Sequence, residues 1–146
     1  MPEILLAEDN PADVFLIYEA LKEHEVACTV RTAADGREVL TLLAPGAAWH
    51  PDLIILDLNL PRHDGIEILQ KLNSTGACTG IPVVVLTSSD SPRDREACQG
   101  LGATRFFRKP SNLEQFLQLG AVFKELLTQP RQHPAAIAQE ESNHED

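Results

Sequence analysis

Glu8 and Asp9 stand side by side directly after a short apolar run. Asp57 follows another such run, Thr87 and Ser88 a third, and Lys109 a fourth, immediately before Pro110. If those runs lie side by side in one sheet, three carboxylates, two hydroxyls and one ammonium meet at its edge. Carboxylates gathered without a cation repel one another and raise each other's pKa, and a bound divalent cation removes that conflict. Oxygen-only ligands suit Mg²⁺, with Mn²⁺ able to substitute, and the absence of histidine from the set argues against zinc. Lys109 can pair with a carboxylate at rest and with a phosphoryl oxygen when one arrives, and the Thr87 hydroxyl can donate to the same oxygen. In that setting Asp57 is suited to attack phosphorus and carry an aspartyl phosphate. Each residue alone has a plainer role: an aspartate after a strand caps a helix, a threonine makes a turn, a lysine before proline is solvated. The ordered set carries the inference.

The elements needed to bring these residues together are written in the hydropathy pattern. Apolar runs occur at 3–7 (EILLA), 26–32 (VACTVRT), 53–56 (LIIL), 83–86 (VVVL) and 104–108 (TRFFR). The third and fourth are continuous and aliphatic, as in parallel strands buried on both faces. The second is more polar and alternates, as at a sheet edge.

Helix signals separate the runs. Asn10 caps a helix with Pro11 at its first position, and that helix extends to about His24 with Val14, Ile17 and Leu21 on one face. Asp35 caps a second, carrying Val39, Leu42 and Leu43 and ending at Pro45–Gly46. Asp64 opens a third, with Ile66, Leu69 and Leu72. Ser91 and Pro92 open a fourth, ending near Gly100 and Gly102. Ser111 and Glu114 have capping-box spacing for a fifth, which reaches about Thr128. Five βα units in succession predict a doubly wound α/β fold, with ligands beyond the carboxyl ends of the strands.

Composition narrows the function further. The chain has 146 residues, 22 acidic and 12 basic, for a net charge of −10. No lysine–arginine cluster is available to neutralise phosphates, so nucleic acid is not an expected partner. Nor is a membrane, because no apolar run nears the roughly 18–20 residues that span a bilayer. The amino terminus lacks a basic segment before its apolar run, so no secretory signal is expected and the cytoplasm is the expected location. Cys28, Cys78 and Cys98 are odd in number without CxxC spacing, which fits a reducing compartment and small buried side chains. His24, His50, His63, His133 and His144 fall at helix ends, in loops or in the tail, and read as solvated. Residues 129–146 contain two prolines, four acids and one arginine without a sustained apolar face. They read as a polar tail, partly disordered or engaged in dimer contacts, after a domain spanning 1–128.

The motifs LLAEDNPAD, LIILDLNLPRHDG, VVVLTSS and FFRKPS resemble the receiver domain of two-component response regulators, over about residues 4–127. The resemblance implies a flavodoxin-like five-stranded sheet in the order 2-1-3-4-5. It implies Asp57 as phosphoacceptor, and Mg²⁺ among Glu8, Asp9, Asp57 and the backbone carbonyl of Asn59, with Glu8 acting through water. It implies Thr87, Ser88 and Lys109 around the phosphoryl group, a cis Lys109–Pro110 bond, and Phe106 as a switch aromatic that turns inward as Thr87 moves. Asn59 and Ser89 are implied to influence the lifetime of the phosphoryl group. DLNLPRHDG and NPAD are similar to the small stand-alone regulators that serve phytochrome-type sensor histidine kinases. Glu8 departs from the commoner aspartate of the acid pair.

The expected activity is a phosphoacceptor switch rather than a turnover enzyme. A haloacid-dehalogenase-type phosphatase also uses an aspartate nucleophile, but its second acid is missing where Leu58, Asn59 and Leu60 follow Asp57. A flavodoxin-type flavin site needs backbone N–H groups in the first loop, which is acidic here. A phosphorylation-independent binding module is disfavoured by intact Asp57, Thr87 and Lys109. In the last helix, Leu113, Phe116, Leu117, Gly120, Phe123 and Leu127 form a stripe suited to cover the sheet. Leu119, Val122 and Leu126 form a second row, expected to support a twofold homodimer with the tail crossing onto the partner.

Overall fold

Five strands, β1 (Glu3–Ala7), β2 (Thr29–Ala33), β3 (Leu53–Leu56), β4 (Val83–Thr87) and β5 (Arg105–Arg108), pair in parallel in the order β2-β1-β3-β4-β5. The five intervening and terminal helices are α1 (Pro11–Glu23), α2 (Gly36–Leu42), α3 (Gly65–Thr75), α4 (Pro92–Gly100) and α5 (Leu113–Thr128). The computed structural model describes residues 1–62, 64–88 and 91–129. His63, Ser89 and the tail at 130–146 lie outside the described residues, so the expectations placed on them are not addressed by it. None of the described helices is long and apolar enough to cross a membrane.

The central strands are buried on both faces because they are apolar at every position except Thr87, the last residue of β4. All four residues of β3 and all five of β4 are buried. Two cores result. Leu5, Ile54, Leu56, Val83, Val85, Ile68, Leu69 and Phe106 meet under α2, α3 and α4. Ile4, Leu6, Leu53, Ile55, Val84 and Leu86 meet Ile17, Leu21, Phe116 and Phe123 under α1 and α5. Alternation along β5 sends Phe106 to the first core and Phe107 to the second. Cys98 is buried, Cys28 and Cys78 are half-buried, and all three are free thiols; burial pushes the Cys98 thiol up to about 11. At the amino-terminal edge of the sheet Trp49 donates to Glu3 Oε1 at 3.4 Å, and Arg31 lies 4.6 Å over its ring.

Helix ends follow the expected chemistry with two shifts. Asn10, Asp35, Asp64 and Ser91 cap α1 to α4 as read from the sequence. The cap of α5 is Asn112 rather than Ser111, its side chain accepting from the Gln115 N–H at 3.1 Å. Helix α2 stops at Leu42, and Pro45 and Gly46 belong to a separate turn closed by the Ala47 N–H on the Ala44 carbonyl at 3.0 Å. Strand β2 begins at Thr29 rather than Val26. The preceding residues finish α1: Glu25 adopts φ 56°, its N–H bonds Lys22 O at 3.0 Å, and Val26 N–H bonds Leu21 O at 2.9 Å. This is the double hydrogen bond of a Schellman ending, made with glutamate where glycine is usual.

The face of α5 differs from the expected one. Phe116, Leu119, Gly120, Phe123 and Leu126 are buried, whereas Leu113 is 61% exposed. Leu119 and Leu126, expected to face a second copy, are part of the core shared with α1, and Val122 packs beside it. The cause is the close approach of α1 and α5, which buries a wider arc of α5 than packing on the sheet alone would. That removes the row on which a dimer was expected. Gly120 permits the approach, since a methyl group there would run into the carbonyl of Ala20 and the His24 ring. Gly120→Ala is expected to destabilise the fold by about 1–3 kcal/mol through overpacking, although alanine is the better helix former; chemical denaturation reads the loss, and an unchanged midpoint would show that the helices part without strain.

Candidate functional site

Strands β1, β3, β4 and β5 end on the same edge, and the residue after β1, β3 and β5 is tied to a neighbouring strand. Glu8 N–H bonds Ala33 O at 3.0 Å, Asp57 N–H bonds Ala7 O at 3.0 Å, and Lys109 N–H bonds Thr87 O at 2.7 Å. The ladder thus runs one residue past the strands and fixes where these side chains begin. Gly65 holds the loop after Asp57: its N–H bonds Leu58 O at 2.9 Å, and a side chain at Gly65 would collide with the Leu58 backbone. That contact explains the glycine in DLNLPRHDG.

Glu8, Asp9 and Asp57 each offer a carboxylate oxygen, all within 4.8 Å of one another. Glu8 and Asp57 are buried and Asp9 is exposed. Lys109 Nζ sits 2.9 Å from Glu8 Oε1, 2.7 Å from Asp13 Oδ2 and 3.1 Å from Asp57 Oδ2. The remaining oxygens of the two buried acids take backbone donors: Asn10 N–H to Glu8 Oε2 at 3.2 Å and Asn59 N–H to Asp57 Oδ1 at 3.0 Å. Thr87 is fully buried at the end of β4, and the Asn59 side-chain amide donates to its Oγ1 at 3.3 Å and to Ser88 Oγ at 3.4 Å. Asn59 therefore ties the Asp57 loop to the hydroxyl pair.

Burial pushes the Glu8 carboxyl up from 4.5 to about 7, against the Lys109 hydrogen bond, which lowers it, and with the Asp57 charge, which raises it further. Burial opposes the Lys109 ammonium, but hydrogen bonds to Asp13 and Glu8 and the charge of Asp57 overcome it, so its pKa lies above the ordinary 10.5. The donor set fits a divalent cation: it is all oxygen, close-set, partly open at Asp9, and neutralised by one ammonium only in part.

Phe106, expected to turn inward only as Thr87 moves, already points inward and is buried in the core under α4. Arg95 of α4 covers its ring at 4.7 Å and donates from Nη1 to Phe106 O at 3.4 Å. The Lys109–Pro110 bond is trans, contrary to the expected cis bond, and no cis peptide occurs among the described residues. Trans is the intrinsic preference by about 0.5–1 kcal/mol, and in this arrangement Lys109 N–H already reaches Thr87 while Nζ reaches the acids. The structure brings together Glu8, Asp9, Asp57, Asn59, Thr87, Ser88 and Lys109. It adds Asp13 and Arg95, which were given no such role from the sequence.

A family model, described as the response regulator receiver domain, matches residues 4–120. The chain belongs to this family. It is 34% identical over 120 residues to the response regulator Rcp1 of Synechocystis, spanning 80% of this chain and 82% of that protein. The crystal structure of the Mn²⁺-bound form of Rcp1 superposes with a TM-score of 0.81 at 31% identity, covering 90% of this chain and 99% of that one. The phosphorylated cyanobacterial phytochrome response regulator RcpA superposes with a TM-score of 0.79 at 37% identity, covering 91% and 98%. The response regulator MprA of Mycolicibacterium vanbaalenii is 42% identical over 89 residues, 61% of this chain but only 36% of MprA. The likeness to MprA is therefore confined to about a third of that protein. The strand order and the five helices are those of the family fold.

The raised pKa of Glu8 sets a pH dependence for the receiver without metal. A carboxyl raised in the fold binds a proton more tightly folded than unfolded, so its contribution is present below about 4.5 and is lost as pH rises through about 7. Between those values the thermal midpoint of the metal-free protein is expected to fall relative to Glu8→Gln, whose curve is flatter there. Parallel curves for the two proteins would refute the assignment.

Proposed function

We propose that the receiver is a phosphoryl-accepting switch, with Asp57 as acceptor and a sensor histidine kinase as donor. The observation that carries this reading is the contact of Lys109 Nζ with Asp57 Oδ2 at 3.1 Å, inside an acid cluster and beside the buried Thr87 hydroxyl. An Asp57 oxygen attacks phosphorus, the N–P bond of a phosphohistidine breaks, and the imidazole leaves with that bond's electron pair. Lys109 and Thr87 donate to the phosphoryl oxygens and stabilise their charge. Mg²⁺, held by Glu8, Asp9, Asp57 and the carbonyl of Asn59, with Mn²⁺ as substitute, would supply charge neutralisation at the phosphoryl oxygens. Asn59 stands two residues after Asp57, where a haloacid-dehalogenase-type phosphatase carries its second acid, and the chemistry we propose ends with gain and loss of the receiver's own phosphoryl group.

The output reading rests on Phe106 and Arg95. A switch needs two discrete packings of different ligand affinity. Thr87 moving toward the phosphoryl group frees space beside β5, and the Arg95–Phe106 contact reports the change to α4. A phytochrome-type kinase is the favoured partner, supported by the likeness to RcpA over 91% of the chain. The cytoplasm, where such kinases present their phosphohistidine, is the proposed location.

Acetyl phosphate with Mg²⁺ is expected to label the wild type once, at Asp57, and to leave Asp57→Asn unlabelled by mass spectrometry; undiminished labelling of the variant would remove Asp57 from the reading. With Mg²⁺ and beryllofluoride, a phosphoryl mimic, backbone resonances along α4, β5 and α5 are expected to shift. Shifts confined to α1 and α2 would contradict the proposed route.

A further inference from the structure

The motif NPAD contains an acid that the phosphoacceptor reading leaves unused. Asn10 caps α1, accepting from Ala12 N–H at 2.9 Å and Asp13 N–H at 3.4 Å, which puts Asp13 in the first turn. An acid there ordinarily returns a hydrogen bond to the backbone N–H of the cap, or faces water and complements the helix dipole. Asp13 does neither of these alone. The Asn10 N–H is taken by Glu8 Oε2 at 3.2 Å. The Asp13 side chain is 19% exposed and reaches across 96 residues of sequence to Lys109 Nζ at 2.7 Å, the shortest of that ammonium's three ion pairs.

An ammonium has three N–H donors, and among the described residues three carboxylates crowd this one: Asp13 and Asp57 accept hydrogen bonds from it, and Glu8 pairs with it at 2.9 Å. A phosphoryl oxygen must compete with these carboxylates for a donor from Lys109. Glu8 and Asp57 belong to the close-set acid cluster, and Asp13 does not. Glu8 and Asp57 would also serve a cation in that cluster, which would leave Asp13 as the partner still holding the ammonium. Lysine has a long flexible stem whose ordering is entropically unfavourable. Asp13 is on a capped helix turn and is already fixed.

We propose that Asp13 is a positioning residue for Lys109: it keeps one N–H throughout the cycle, so that another can turn from a carboxylate to the phosphoryl oxygen without the ammonium swinging into solvent. The proposal rests on the phosphoacceptor reading above and deepens it. Asp13 touches neither the phosphoryl group nor the metal ligands in this role. It acts through Lys109.

The test is beryllofluoride affinity at saturating Mg²⁺, followed by fluorine NMR, for the wild type, Asp13→Ala, Asp13→Glu, Lys109→Ala and the Asp13→Ala/Lys109→Ala double variant. Loss of one charge-assisted partner predicts affinity lowered on the order of tenfold in Asp13→Ala, with most of it regained in Asp13→Glu. In the Lys109→Ala background, Asp13→Ala is expected to change nothing further, because its effect passes through the ammonium. Affinity in Asp13→Ala equal to or tighter than the wild type would overturn the proposal, and so would an equal loss in the Lys109→Ala background, which would mark a merely structural role for the helix turn. A wild type that takes up no beryllofluoride would instead overturn the phosphoacceptor reading, and this inference with it.

Discussion

The repulsion among close-set carboxylates is the constraint around which this molecule is arranged. Two unit charges 4.8 Å apart repel by about 3–4 kcal/mol at an effective dielectric of about 20. A single ammonium, Lys109, within 3.1 Å of Glu8, Asp13 and Asp57, offsets that in part. The protein answers the conflict in two ways at once. It lets Glu8 hold its proton to near neutral pH, and it places Lys109 among three carboxylates. Both would give way to a divalent cation held by Glu8, Asp9 and Asp57, a donor set that fits one.

Keeping such a cluster from relaxing apart requires a stiff frame. The frame is the extended ladder, in which Glu8, Asp57 and Lys109 each spend a backbone N–H on the adjacent strand. Behind it stand two apolar layers that share the same five strands. Gly65 and Gly120 let backbone meet backbone where a side chain would prise the elements apart, one beside the phosphoacceptor loop and one between the terminal helices. Phe106 and Phe107 plug β5 into opposite layers, so that strand cannot slide without disturbing both. The proposed displacement at Thr87 would reach α4 through the Phe106–Arg95 contact.

Most of this was legible in the sequence, for physical reasons. Continuous aliphatic runs such as LIIL admit few readings besides a doubly buried strand. Asn10, Asp35, Asp64 and Ser91 announce helix starts because their side chains satisfy N–H groups that have no partner within the helix. The acids, hydroxyls and ammonium of the site follow from strand order, since Glu8, Asp9, Asp57, Thr87, Ser88 and Lys109 each lie one or two positions past a run. What stayed hidden depended on distances between helices. The face of α5 could not be assigned without knowing how closely α1 approaches, and Gly120 does not advertise its partner. The start of β2 was obscured because Glu25 takes a left-handed conformation in which glycine is the usual signal. Asp13 was hidden by having an ordinary local explanation, and only the fold brings Lys109 to it.

The position of Trp49 has a consequence for how this receiver can be observed. It is the chain's one tryptophan, and it packs with Arg31 and Glu3 at the amino-terminal edge of the sheet. Asp57 lies at the other end of β3, a strand's length of roughly 13 Å or more away. The indole emission therefore reads the integrity of the sheet's far rim, and it is nearly blind to whatever occupies the acid cluster. Occupancy by metal or phosphoryl group has to be followed with a reporter nearer the site, while the native fluorophore remains a clean gauge of global unfolding.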